Sequence, residues 1–290
     1  MEASDGGQME CHRSWIGKPC LDEVDMYRLI LIIAWSWVFL SGHAAYSQEG
    51  EGTSFYQASP LEMPQKAARL IRAYPGQNLK YVDNQILFED GTAIIFDDGK
   101  KKDFVQILDD SDIEDMFSLE YTKDAVPQYL QDAGRSRCEA FFKHMYGRDA
   151  KGVKNNLVTV SWFGEKIKFS KINGAAEQLK KVASEIEREH PELVSKMKSS
   201  GTFYWRKVRG ANRLSSHSYG IAIDIAVKDS NYWRWDHPDA SETDPIGYKN
   251  HIPLKIVEIF EKHGFVWGGR WYHYDTMHFE YRPEIVLGDL

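Results

Sequence analysis

The apolar positions of this chain follow two periods, and the change from one to the other marks the elements. "KAARLIRAYP" (66–75) reads as a short helix that Pro75 ends. "NQILFEDGTAIIFDDG" (84–99) reads as a hairpin, with Asp90-Gly91 supplying the positive φ of a tight turn. "DFVQILDDSDIEDMF" (103–117) returns to helical spacing, with Phe104, Ile107 and Leu108 on one side. "NLVTVSWFGEKIKFS" (156–170) predicts a second hairpin that turns at Gly164. "GAAEQLKKVASEIEREH" (174–190) is amphipathic: Leu179, Val182, Ala183 and Ile186 form an i, i+3, i+4, i+7 stripe. "GTFYWRKV" (201–208) and "GIAIDIAV" (220–227) have strand character. "PLKIVEIFEKHG" (253–264) predicts a helix that starts at Pro253 and stops at Gly264. "TMHFEY" (276–281) closes the pattern as a strand. Strands and helices mix without a regular β-α alternation, so α+β is the expected class.

Between these elements, residues 123–137 read as a connection, with Pro127, Gly134 and two arginines. Cys138 lies in "SRCEAFFKHMYG", a helical apolar pattern, where it is expected to pack. Near the start, Leu29–Leu40 is an apolar run after Arg28. It is short for a membrane span, which needs roughly 20 apolar residues. It suits a secretory signal, with Ala45 and Ser47 as the small residues before a cut at Gln48. Residues 1–25 are acidic, unlike the basic start of such a signal, so Met26 is the expected natural start. The division expected is 1–47 extension and signal peptide, 48–154 N-terminal extension region, and a domain over 155–290. Such a protein is exported to the periplasm or outside the cell, with no stable membrane span after signal cleavage.

Composition changes this picture little. The chain has 290 residues and a formal net charge of -7. Six acids and three bases fall before residue 48, so the remainder is near -4. No basic stripe exists, which argues against nucleic acid as a partner. Only Cys138 lies beyond the expected cut, so no internal disulfide is expected to hold the domain.

The chemistry lies in two stretches. In "RLSSHSYGIAIDIAV" (213–227), Ile221, Ile223 and Ile225 point one way and Ala222, Asp224 and Ala226 the other. A lone carboxylate among alanines needs a counter-charge or a metal. Gly220 permits a turn that brings His217 back to the same space. In "WYHYDTMHFEY" (271–281), His278 and Glu280 share one strand face. If the two strands are neighbours, His217, Asp224 and His278 meet. Two histidines and one aspartate suffice for a catalytic zinc site.

Ser215-x-His217-x-x-Gly220-x-Ala222-x-Asp224, followed by Asp275-x-x-His278-Phe279-Glu280, resembles the zinc D-alanyl-D-alanine carboxypeptidase and L-alanyl-D-glutamate endopeptidase family. The resemblance covers about residues 155–285. It implies a hedgehog/DD-peptidase-like antiparallel sheet with flanking helices, preceded here by an N-terminal hairpin and helix extension. It implies Zn2+ held by His217, Asp224 and His278. Asp275 matches the general base, and His273 a histidine that assists at the oxyanion. Arg206 is the chosen substrate arginine, with Arg209 and Arg213 as alternatives. Glu280 reads as an orienter of His278 rather than a base. Trp205, Tyr219, Trp233, Trp235, Trp267, Trp271 and Tyr272 are candidates to wall a groove. The expected activity is hydrolysis of the peptidoglycan stem peptide, at D-Ala-D-Ala or at L-Ala-D-Glu. The alternative is a non-catalytic zinc-binding module of the same fold.

Overall fold

Each hairpin turns where its residues tolerate a positive φ. The structure, a computed structural model, describes residues 63–123 and 126–287. The expected signal segment, Cys11 and Cys20 lie outside the described residues. Helix α1 (Gln65–Ala73) leads into a three-stranded antiparallel sheet of β1 (Lys80–Val82), β2 (Gln85–Leu87) and β3 (Ala93–Ile95). The β2–β3 hairpin has Gly91 at φ 84°, at the expected turn. Strand β1 was not expected. It pairs with β2 through Asp83-Asn84, both at positive φ, a turn that asparagine and aspartate accept more readily than other side chains.

Helix α2 (Phe104–Asp109) is fixed by a capping box, in which Asp103 and Gln106 bond each other's backbone N–H. It is shorter than the pattern suggests; residues Glu114–Phe117 form a separate 3₁₀ turn. Helices α3 (Glu139–Tyr146) and α4 (Ala150–Asn155) follow, and Cys138 is buried at the start of α3. Strands β4 (Leu157–Trp162) and β5 (Glu165–Ser170) pair through Phe163-Gly164. Helix α5 (Ala175–Glu189) buries the expected stripe of Leu179, Val182, Ala183 and Ile186 against β4. Each buried Leu, Val or Ile contributes about 1.5–3 kcal/mol relative to exposure.

The sheet that positions the site is four-stranded. It contains β6 (Ser199–Gly201), β7 (Ala222–Ile225), β8 (Phe265–Trp267) and β9 (His278–Tyr281) in the order β6-β7-β9-β8, all antiparallel. The expected strand over 201–208 does not form. Tyr204 N bonds His217 O, and Arg206 N bonds Ser218 Oγ, so this backbone serves the loop that carries His217 rather than a ladder. Helices α6 (Trp233–Asp236), α7 (Leu254–Lys262) and α8 (Pro283–Val286) complete the order.

Strand β9 is buried on both faces. One face meets α7, where the rings of Phe260 and Phe279 stack at 4.0 Å. The other face carries His278 and Glu280 towards the irregular segment 131–137. That segment runs beside residues 271–273: Tyr272 N bonds Gln131 O, and Trp271 Nε1 bonds Ala133 O. The core joins Tyr74, Phe141 and Phe142 to Ile223, Phe260 and Phe279. The described residues thus share one core from α1 to β9 and belong to one compact unit. Among them, no helix is long and apolar enough to cross a membrane.

Candidate metal centre and cleft

Register brings the two sequence clusters together. Strands β7 and β9 are neighbours, and Asp224 stands directly opposite His278. His217 arrives from a short 3₁₀ turn (Ser216–Tyr219) that Gly220 closes at φ 66°. Gly220 is required there for two reasons. The left-handed backbone disfavours a side chain, and a Cβ would lie 2.4 Å from Leu157 Cδ2.

Three donor atoms converge. Asp224 Oδ1 lies 3.0 Å from His278 Nδ1 and 3.2 Å from His217 Nε2, and the two nitrogens are 3.3 Å apart. Donors about 2.0–2.1 Å from a tetrahedral centre stand ~3.3 Å from one another. The triangle has the size that a zinc ion requires, and its two imidazoles and one carboxylate are the right chemistry. The second nitrogen of His278 supports this fit. Its Nε2 is 3.1 Å from Glu280 Oε2, so a proton held there leaves the Nδ1 lone pair free for a metal. Burial opposes charge on His278, but the carboxylates of Asp224 and Glu280 outweigh it and favour positive charge at this position. Asp224 is held well below the usual carboxylate range by both histidines, against its own burial. The triad is electrostatically a place for a cation.

Two further acidic groups, Asp97/Asp98/Asp112 and Asp112/Glu114/Asp115, have ligand-like spacing. Lys102 Nζ already occupies that region, at 3.2 Å from Asp98, 3.3 Å from Asp112 and 2.5 Å from Asp115.

The triad opens into a cavity of about 470 Å³, which Asp275, His273 and Arg206 also line. Asp275 sits in the turn before β9; its N–H donates to Gly268 O, and its carbonyl accepts from His278 N. Its Oδ1 is buried with no protein partner. Burial pushes its carboxyl up to about 7; Asp224 adds to this, while His278 and Arg206 oppose it. His273 is fully buried. Its Nδ1 is 2.6 Å from Asp132 Oδ2, and its backbone N–H donates to Asp132 Oδ1. Its Nε2 has no hydrogen-bond partner; the nearest carboxylate, Glu242, is 3.8 Å away. Arg206 is exposed at the rim, as is Arg209, whereas Arg213 is buried against Asp109.

Of the aromatic residues expected at a groove, Trp233, Trp235 and Trp271 line the cavity. Tyr219 and Trp267 belong to the core instead, and Trp205 packs against it. The sequence pattern did not expose Asp132, Arg135, Arg137 or Glu242. Arg135 bridges Asp132 at 2.5 Å and Glu242 at 3.0 Å. Arg137 and Arg282 both reach the fully buried Glu280, at 3.3 Å and 3.0 Å. These two arginines, with His278, keep Glu280 ionised far below its usual range despite burial. One signal was present: two arginines two residues apart, just before an apolar helix, need buried acids as partners.

No curated protein and no solved structure matches the chain. One family model does match, and it covers the triad, Asp275 and His273 together. Residues 209–281 fit the model described as D-alanyl-D-alanine carboxypeptidase, which is the family that the two-part motif resembles.

Proposed function

We propose that this chain is a zinc-dependent peptidase of the peptidoglycan stem peptide, built on a hedgehog/DD-peptidase-like sheet. The observation that carries the reading is the donor triangle of His217, Asp224 and His278, set by the β7–β9 register within the matched segment. Zinc held there would lower the pKa of a water towards ~7 and polarise the scissile carbonyl.

The remaining chemistry belongs to side chains. Asp275 accepts the proton of the attacking water and returns it to the leaving amine. Its uncommitted, covered Oδ1 suits a group that must take up a proton and pass it on. His273, its ring held through Nδ1 by Asp132, assists at the developing oxyanion. Arg206, at the rim, adds a second positive charge on the substrate side. Glu280 holds His278 in one orientation and tautomer, and the buried arginines fix Glu280.

The bond is either the terminal D-Ala-D-Ala link or L-Ala-D-Glu, and the carboxypeptidase reaction is favoured. Such a substrate lies outside the cytoplasm, so the reading includes export, with Leu29–Leu40 as the signal. Incubation of the zinc-loaded chain with defined stem pentapeptides, followed by mass spectrometry, tests it. Loss of one alanine, or release of L-Ala from the D-Glu end, is expected and should stop with a chelator. Intact peptides after prolonged incubation with a zinc-replete protein would overturn it.

A further inference from the structure

His278, Glu280, Arg282 and Glu284 alternate base and acid at every second position. In the fold they form a chain that leads away from the cavity. His278 Nε2 is 3.1 Å from Glu280 Oε2, and Arg282 Nη1 donates to Glu280 Oε1 at 3.0 Å. Arg282 Nε donates to Glu284 Oε1 at 2.5 Å. The last link crosses 210 residues of sequence: the Tyr74 hydroxyl, at the end of α1, donates to Glu284 Oε2 at 3.0 Å. Tyr74, Glu280, Arg282 and Glu284 are all fully buried.

Arg282 is the middle of this chain, and it is held in place. It donates to Gly134 O at 2.7 Å and to Ser136 O at 3.4 Å, and its guanidinium lies over the Phe142 ring, 4.9 Å from the centroid. A buried charge must be balanced by buried charge. Two carboxylates share that work here. With Glu284 on the Nε edge, Glu280 gives Arg282 only Oε1, and Oε2 is left for the imidazole. Arg137 adds longer contacts to the same carboxylate, at 3.3 and 3.4 Å. Without the charge of Glu284, Glu280 alone would balance both arginines and would be drawn off His278. The Tyr74 hydroxyl occupies Glu284 Oε2 and so turns Oε1 towards Arg282.

Resting on the metal centre of the proposed function, we infer that Glu284, oriented by Tyr74, is a positioning residue for the metal ligand His278, acting through Arg282 and Glu280. A carboxylate that orients a ligand histidine is a common support. Here the support continues for three more side chains and ends on the first described helix. Tyr74, Arg282 and Glu284 all lie outside the segment that matches the family. Helix α1, which carries no catalytic pattern, therefore takes part in holding the metal.

Chelator competition on the zinc-loaded full chain, below the melting transition of each protein, tests this without any peptide. Glu284→Gln should weaken zinc binding about tenfold, the low end of the loss when the support of a ligand is removed. Tyr74→Phe removes only a hydroxyl and keeps the ring edge-on to Phe141, 5.4 Å away. It should weaken zinc binding about threefold, less than the loss of a direct partner. The cobalt-substituted forms of both variants should show a shifted visible spectrum, which reports the geometry of the ligands. Leu70→Ala is the control: it is buried in the same helix and belongs to no link of the chain. It should lower the melting temperature and leave zinc affinity and cobalt spectrum as in the wild type. If Glu284→Gln does not fold, Tyr74→Phe decides. Wild-type affinity and spectrum in either folded variant, or an equal loss of affinity in Leu70→Ala, would overturn the assignment. A wild type that takes up no zinc defeats the metal centre itself, whereas a zinc-loaded wild type with unaffected variants defeats only this inference.

Discussion

His273 and Asp132, 141 residues apart in the chain, meet through two bonds: Nδ1 to Oδ2 at 2.6 Å and backbone N–H to Oδ1 at 3.0 Å. The aspartate thus grips both the ring and the backbone of one histidine, and leaves only Nε2 directed to other work. Replacing Asp132 by Asn keeps the size but removes the charge that fixes the ring. Turnover is expected to fall ~10–100-fold with zinc retained, an effect of the size seen when an orienting partner is lost. Steady-state kinetics and metal analysis on one preparation check this; unchanged kcat would remove His273 orientation from the account.

The same pair gives a pH signature. Arg135 and His273 hold the Asp132 carboxyl down to about 2, against a burial that alone would raise it. Its unfolded value is about 3.9. A depressed carboxylate contributes stability that is full above the unfolded pKa and is lost as pH falls through the folded one. The advantage of wild type over Asp132→Asn should therefore be about 2–3 kcal/mol at neutral pH and fade between about pH 4 and pH 2. Denaturant melts of both proteins across that window read it directly. A difference that stays constant down to pH 2 would contradict the pairing.

Asp275→Asn separates metal binding from proton transfer. The variant should fold and hold zinc, because Asp275 is not one of the three converging donors. Hydrolysis should fall ~10²–10⁴-fold, the usual contribution of a general acid-base group. Peptide affinity should change less, since the lost interaction belongs to the transition state. Near-normal turnover with normal zinc would exclude Asp275 as the base.

Glu280→Gln strikes a buried charge network rather than the reaction. It leaves Arg137 and His278 without their carboxylate, and Arg282 with Glu284 alone. Breaking a buried pair costs about 3–5 kcal/mol. Loss of the partner that orients a ligand histidine weakens metal affinity ~10–100-fold. Urea unfolding and competition with a zinc chelator measure the two effects separately. Full stability with full affinity would show that the arginines do not depend on Glu280.

The triad was legible in the sequence because period-2 alternation fixes which face a strand residue takes, and β7 and β9 are short and regular. Asp224 among alanines and His278 beside Glu280 each had one possible face. The arginine and aspartate wall was not legible. Residues 131–137 have no period, and their roles arise from contacts more than 100 residues away, such as Arg137 with Glu280. The 201–208 stretch misled for the opposite reason. Its apolar alternation is real, but its N–H groups go to the loop that carries His217, which propensity cannot foresee.

The proposed function depends on one metal ion held by His217, Asp224 and His278. Metal content of the purified wild type, His217→Ala and His278→Ala, measured on the same day after identical zinc loading and desalting, tests it most directly. One zinc per wild-type chain and almost none in either folded variant are expected. A His278→Ala protein that keeps a full equivalent of zinc would contradict it.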